Sequence, residues 1–173
     1  MEQTILKDTL IRTLESNYNI KEPYSVENRD FEFYAEFFQR SSKYLASKKF
    51  EYYAFSTYDH LFFKSVDSVS IEFLKNLCSL TDDIVDSYTK VDEEHMETYI
   101  TYVISSAVPL SAEVKKFAKK NTNYIKSYSF GFNGWTKLKL IILVPTSNEV
   151  YTNKFGNRDK DVFKKVLTKY LNS

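Results

Sequence analysis

The chain has 173 residues, 43% of them hydrophobic and 27% charged, with a formal net charge of +1. That length suits one domain with a sizeable core, and the composition is that of a soluble globular chain. The balanced charge gives no global field for nucleic acid or membrane, no apolar run is long enough for a transmembrane helix, and three glycines are too few for a GxGxxG or Walker-type phosphate cradle.

The first residues, MEQTILKDTLIRTLES, mix both charges and lack the apolar core of a signal peptide. Cys78 stands alone, so no internal disulfide forms and a reducing cytoplasm is the expected compartment. His60 and His95 lie far apart without a CxxC, which excludes a structural zinc site, and there is no GxSxG elbow. No cofactor or metal is expected.

Residues 2–17 follow helical spacing, with Leu6, Leu10 and Leu14 on one face. Asp30–Gln39 alternates, with Phe31, Phe33, Ala35 and Phe37 on one side and Glu32, Tyr34, Glu36 and Phe38 on the other. Thirteen aromatic residues crowd between Asp30 and Lys64 without Gly or Pro. Phe50–Ser56 and His60–Val66 read as two more strands, joined as a hairpin by Thr57–Tyr58–Asp59. Ser68 or Ser70 caps a helix carrying Ile71, Leu74, Leu77, Ile84, Val85 and Tyr88, with Cys78 as a small buried hydrophobe.

Met96–Ser106 is β-rich on both faces, which places it centrally in a sheet. Ser111 caps a short helix to about Lys120. Ile125–Val144 reads as a hairpin around Asn133–Gly134. A two-residue turn would set aromatics against lysines. An odd, bulged loop sets Tyr128 and Phe130 on the face of Leu138, Leu140 and Ile142, and is preferred. Val150–Thr152 adds an edge strand. Asn157 caps a last helix with core face Val162, Phe163, Val166, Leu167 and Tyr170. The order αβββαβαββα, with no linker or repeat, predicts a single domain over residues 1–173. Its class is α+β, with a mixed, largely antiparallel sheet and flanking helices.

The first six elements, residues 2–106, resemble the αβββαβ core of the PD-(D/E)xK nuclease-like superfamily. That resemblance implies acids on the second and third core strands that hold a divalent metal. Here those strands offer Glu51, then Asp59 and Lys64, but no ExK; Glu113–Val114–Lys115 has the spacing on a later helix. The likeness implies a degenerate or relocated site. More locally, FGFNGWTKLKLIILV followed by VYTN, together with FYAEFFQR at Phe33–Arg40, is similar to an uncharacterised family of small bacterial and archaeal proteins. That family implies no activity.

Four groups of residues have candidate chemistry. Glu32 and Glu36 share a strand face and could serve metal or phosphate chemistry, or simply meet water. Asp59 and His60 are a possible acid–base pair without an assignable nucleophile, and Asp is also a favoured turn residue. Asp82–Glu97 holds seven acids but lacks the spacing and glycine of a calcium loop. Val114–Asn148 holds seven lysines and no acid. Lys115, Lys119, Lys126, Lys137 and Lys139 around Trp135 are the residues that would bind single-stranded nucleic acid. The four arginines among 24 cationic residues weaken that reading.

The leading expectation is a small protein acting by binding, to a protein partner or to itself. The second is a nucleic-acid-associated domain of nuclease-like fold. The third is a metal-dependent nuclease using Glu32, Glu36, Glu51 or Asp59 with Lys64.

Overall fold

The structure is a computed structural model. It describes the backbone of residues 2–44 and 51–172, and side chains over 5–41 and 54–172. Among the described residues the chain forms four helices and nine strands. Helix α1 (Glu2–Leu14) leads into short strands β1 (Asn19–Lys21), β2 (Tyr24–Val26) and β3 (Arg29–Phe31), then long strands β4 (Phe33–Tyr44) and β5 (Glu51–Val66). Helix α2 (Ile71–Tyr88), strand β6 (His95–Ser106), helix α3 (Ala112–Lys120), strands β7 (Ile125–Ser127), β8 (Trp135–Val144) and β9 (Glu149–Thr152), and helix α4 (Lys160–Leu171) follow.

The main sheet runs β1-β4-β5-β6-β8, with β7 and β9 lying end to end along the outer edge of β8. β5, β6 and β8 are mutually parallel, and the other pairings are antiparallel. Parallel neighbours need long crossovers, and α2 and α3 supply them. The class is therefore α+β with a mixed sheet.

Alternation along the strands sorts the core into two layers. On one face Phe33, Ala35, Leu61, Phe63, Val103, Ile141 and Leu143 meet Leu6, Leu10 and Leu14 of α1 and Phe163, Val166 and Leu167 of α4. On the other, Phe62, Ile100, Tyr102, Ile104, Leu138, Leu140 and Ile142 meet Leu74, Leu77, Leu80 and Ile84 of α2 and Val114 and Ala118 of α3. β6 is buried on both faces from Thr98 to Ser106, as its composition predicts. Ser70 and Ser111 cap α2 and α3, their Oγ atoms accepting from Phe73 N and Val114 N.

Several details differ from the sequence reading. Thr57–Tyr58–Asp59 is not a turn but the middle of β5, held by Gln39–Phe37 on one side and Glu97–Tyr99 on the other; Phe50 lies outside the described residues. Phe31 packs on the opposite face from Phe33, because the chain bends at Glu32, where Oε1 accepts from Ser65 N at 2.7 Å. The β7–β8 loop has the expected parity, since Tyr128 OH reaches Thr136 Oγ1 at 3.2 Å, but it is wider than a three-residue bulge. Phe130 consequently stands in solvent rather than in the core. Finally, the chain enters α4 through a tight turn at Gly156–Asp159, so Asp159, not Asn157, takes the cap position, and Val162 is exposed.

Asn153 closes the gap between β7 and β9. Its Oδ1 accepts from Leu140 N (3.0 Å) and Gly156 N (2.8 Å), while Nδ2 donates to Thr122 O (2.9 Å) and Leu138 O (2.8 Å). The side chain thus supplies β8 with hydrogen bonds that a neighbouring strand would otherwise make. Among the described residues no helix is long and apolar enough to cross a membrane.

Candidate functional site

Asp59 and His60 are adjacent on a regular strand and therefore point to opposite faces of the sheet. They do not form an acid–base pair. Each is instead the centre of its own polar cluster.

On the α1/α4 face, register places Asp59, Tyr99 and Lys137 in one row and Leu61, Thr101 and Lys139 in the next. The apolar layer ends at Leu61, Val103 and Ile141, and the polar residues begin where the helices stop covering the sheet. Asp59 is 6% exposed and Lys139 4%. Asp59 Oδ1 accepts from Thr101 Oγ1 at 2.6 Å, and Oδ2 accepts from Tyr18 OH and Lys139 Nζ, each at 3.3 Å. Lys139 Nζ also lies 2.7 Å from Asp159 Oδ2 and 4.0 Å from the centre of the Tyr99 ring. Buried charges are costly unless paired and hydrogen-bonded, and here each is. The next row continues the network. Glu97 accepts from Lys137 and from Tyr99 OH, and Arg158 Nη1 donates to Tyr99 OH at 2.8 Å. Burial opposes the charge of Glu97, but Lys137, Tyr99 and Arg158 together hold its pKa below the usual carboxylate range. Burial, then the Asp59 charge, pushes the Tyr18 phenol far up. A cavity of about 400 Å³ opens above this floor, walled by Leu14, Tyr18, Phe37, Arg158 and Phe163.

On the α2/α3 face, His60 Nδ1 bonds Tyr34 OH at 2.7 Å, and its ring lies edge-on to Tyr88 at 5.1 Å. Tyr24 OH and Tyr88 OH share a 2.6 Å hydrogen bond. Burial pushes the His60 pKa down, with the Glu36 and Asp59 charges opposing it. A shallower hollow of about 440 Å³, lined by Tyr24, Tyr58, Glu36 and Lys21, lies over this group.

A third feature is the loop between β7 and β8. Phe130 and Phe132 are 101% and 89% exposed. The backbone beneath them is tightly fixed. Gly131 N donates to Tyr128 O at 2.8 Å, Phe132 N to Ser129 O at 3.0 Å, and Tyr128 N to Gly134 O at 3.1 Å. Asn133 Nδ2 donates to Asp92 O at 2.9 Å, and the Asn133 carbonyl accepts from His95 Nδ1. Ser129 and Phe130 both hold left-handed backbone, with φ of 48° and 53°, a strained choice for a phenylalanine.

The residues singled out from the sequence are not brought together. Glu36 lines the His60 hollow, Asp59 faces the other way, and Glu32 is spent on Ser65 N. Lys64 Nζ donates to Asp30 O at 2.9 Å, and the Glu51 side chain lies outside the described residues. The two strands on which a nuclease-like core would place its acids are one strand here, and among the described residues no three His, Cys, Asp or Glu side chains gather to hold a metal. Of the lysines, Lys137 and Lys139 are paired with acids on the α1/α4 face. Lys126 pairs with Asp86 at 2.6 Å, while Lys115 and Lys119 lie on α3. The acidic and basic stretches thus complement each other within the fold, through Asp86–Lys126 and Glu97–Lys137.

Tyr18, Arg158, Asp159 and Asn153 escaped the sequence reading. A signal existed for Lys139. It alternates in line with Ile141 and Leu143 on a strand rich enough in apolar residues to be buried on both faces, so its ammonium needed a buried partner.

Fold and sites together define an α+β domain with two polar clusters set back to back across one strand, and a raised aromatic loop at one end. The chain belongs to the domain-of-unknown-function family DUF8052, whose model matches residues 2–165. This agrees with the likeness of the Phe33–Arg40 and Phe130–Val144 segments to an uncharacterised family. No curated protein and no solved structure matches the chain.

Proposed function

We propose that the protein acts by binding, and that it docks onto a protein partner through the loop Phe130–Trp135. The carrying observation is the near-complete exposure of Phe130 and Phe132 on a backbone held rigid by its own hydrogen bonds and by Asn133. Two free phenylalanines expose apolar surface, and the left-handed Phe130 adds strain. An aromatic pair on a fixed backbone loses little backbone entropy on docking, which suits an interface anchor. Beside it a groove of about 500 Å³, lined by Phe55, Met96, Phe132 and Trp135 and edged by Glu93 and by Glu94, which Arg40 already pairs, suits an apolar protein segment.

Nucleic acid is the weaker reading, because Lys126, Lys137 and Lys139 are already neutralised by acids. The compartment we propose is the cytoplasm, where the lone Cys78 stays reduced.

A photo-crosslinking residue placed at position 132 in the cells of origin tests the reading. The expected outcome is a discrete protein adduct, lost when Phe130→Ser is added and missing when the crosslinker sits at the exposed Lys169 on α4. With the partner identified, Phe132→Ser weakens binding by about 30-fold or more, the effect of losing one anchor. An adduct to RNA or DNA, or the same adducts at positions 132 and 169, overturns it.

A further inference from the structure

We propose that the cleft above Asp59 and Lys139 is a binding site for a small organic anion, a carboxylate or phosphate monoester with an apolar chain or ring, held by Arg158. Nothing in this site depends on the aromatic loop, so either reading can fail without the other. The cavity, about 400 Å³, is within the range of small-molecule pockets. Its wall divides into two kinds of surface. Leu14, Phe37, Val162 and Phe163 offer an apolar side for the body of a ligand. The floor offers charges that need no ligand. Both oxygens of Asp59 are used, and Lys139 lies between two carboxylates and the Tyr99 ring. Such a floor is fixed in place and keeps its charges paired when a ligand displaces water.

Arg158 differs from the rest. Its guanidinium stacks over Tyr99 at 5.4 Å, Nη1 donates to Tyr99 OH at 2.8 Å, and Nε stays 3.7 Å from Asp159 Oδ1. The side chain is nevertheless 61% exposed. A guanidinium carries five N–H donors in a rigid plane, and these contacts leave an edge for a ligand. That edge matches the two oxygens of a carboxylate or phosphate, and the stacking on Tyr99 fixes its direction in advance. An alkylammonium ion would meet the Arg158 charge, and the Asp59 and Asp159 carboxylates are already paired with Lys139. A neutral amide would forgo the charge-assisted pair.

The test is a chemical-shift titration of the full chain with hexanoate, benzoate, hexyl phosphate and phenyl phosphate. Hexanamide and hexylamine serve as size-matched controls. At least one anion is expected to saturate, shifting the backbone amides of Arg158, Asp159 and Val162, and to bind about 10-fold or more tightly than the amide. Arg158→Gln, a change at an exposed side chain, removes that preference. Preference between the carboxylates and the phosphate esters then fixes the head group. The proposal is overturned if no anion saturates below about 10 mM, a very weak affinity even for a fragment. It is equally overturned if the amide or amine binds as well, or if Arg158→Gln binds the anion unchanged.

Discussion

Lys139 shows most clearly how one residue depends on the whole chain. Its two carboxylate partners come from positions 80 residues earlier and 20 later in the sequence, yet all three meet under the same cavity. Removing the ammonium leaves the buried Asp59 beside the partly exposed Asp159, with like charge and no cation between them. Lys139→Met is therefore expected to cost about 3–5 kcal/mol. Adding Asp59→Asn should recover part of that loss, because the stranded charge is then gone. Urea unfolding of the two single variants and the double variant measures this. A loss below about 1 kcal/mol for Lys139→Met would show that the ion pair is not confined as described.

Among the elements, β5 and the β7–β8 loop mark where the sequence could and could not be read. The helices were legible because their caps and spacing are local: Ser70 and Ser111 sit where the apolar period begins. β6 was legible because its residues are β-formers on both faces. The Thr57–Tyr58–Asp59 turn was wrong for a physical reason. Thr and Tyr favour strands, and Asp59 is tolerated in the middle of one only because Lys139, Thr101 and Tyr18 satisfy it from afar. The parity of the β7–β8 loop followed from the apolar pattern of β8. Its width did not, because the loop is set by contacts of Asn133 and His95 with each other and with Asp92. Gly134 is the tightest point of that loop. It has φ of 75°, and a Cβ there would lie 2.1 Å from the Met96 carbonyl oxygen. Gly134→Ala is accordingly expected to cost about 2–4 kcal/mol in urea unfolding. A cost near zero would mean that the loop is not anchored on β6.

On the scale of the molecule, the two faces of the sheet are built alike. Helices cover the apolar half, and a polar cluster fills the remainder. β5 contributes the central residue of each cluster, so the Asp59 and His60 sites share a peptide bond while opening to opposite sides. Neither cluster was legible from local sequence, since their members come from the turn after α1, β2, β4, β5, α2, β6, β8 and the approach to α4. The outer edge of the sheet is also assembled from pieces. β8 is among the most apolar strands of the chain, and its free side is covered by β7, the Asn153 side chain and β9 in turn. Asn153→Leu leaves up to four main-chain groups without partners, an expected loss of about 3 kcal/mol or more. An uncovered strand edge is also a template for another chain. Light scattering during refolding should therefore rise for Asn153→Leu more steeply than for Lys139→Met at matched stability. Equal scattering would assign Asn153 a purely energetic role. On the expected outcome, one carboxamide together with β7 and β9 keeps WTKLKLIILV from pairing with its own copies, although it touches neither proposed binding surface.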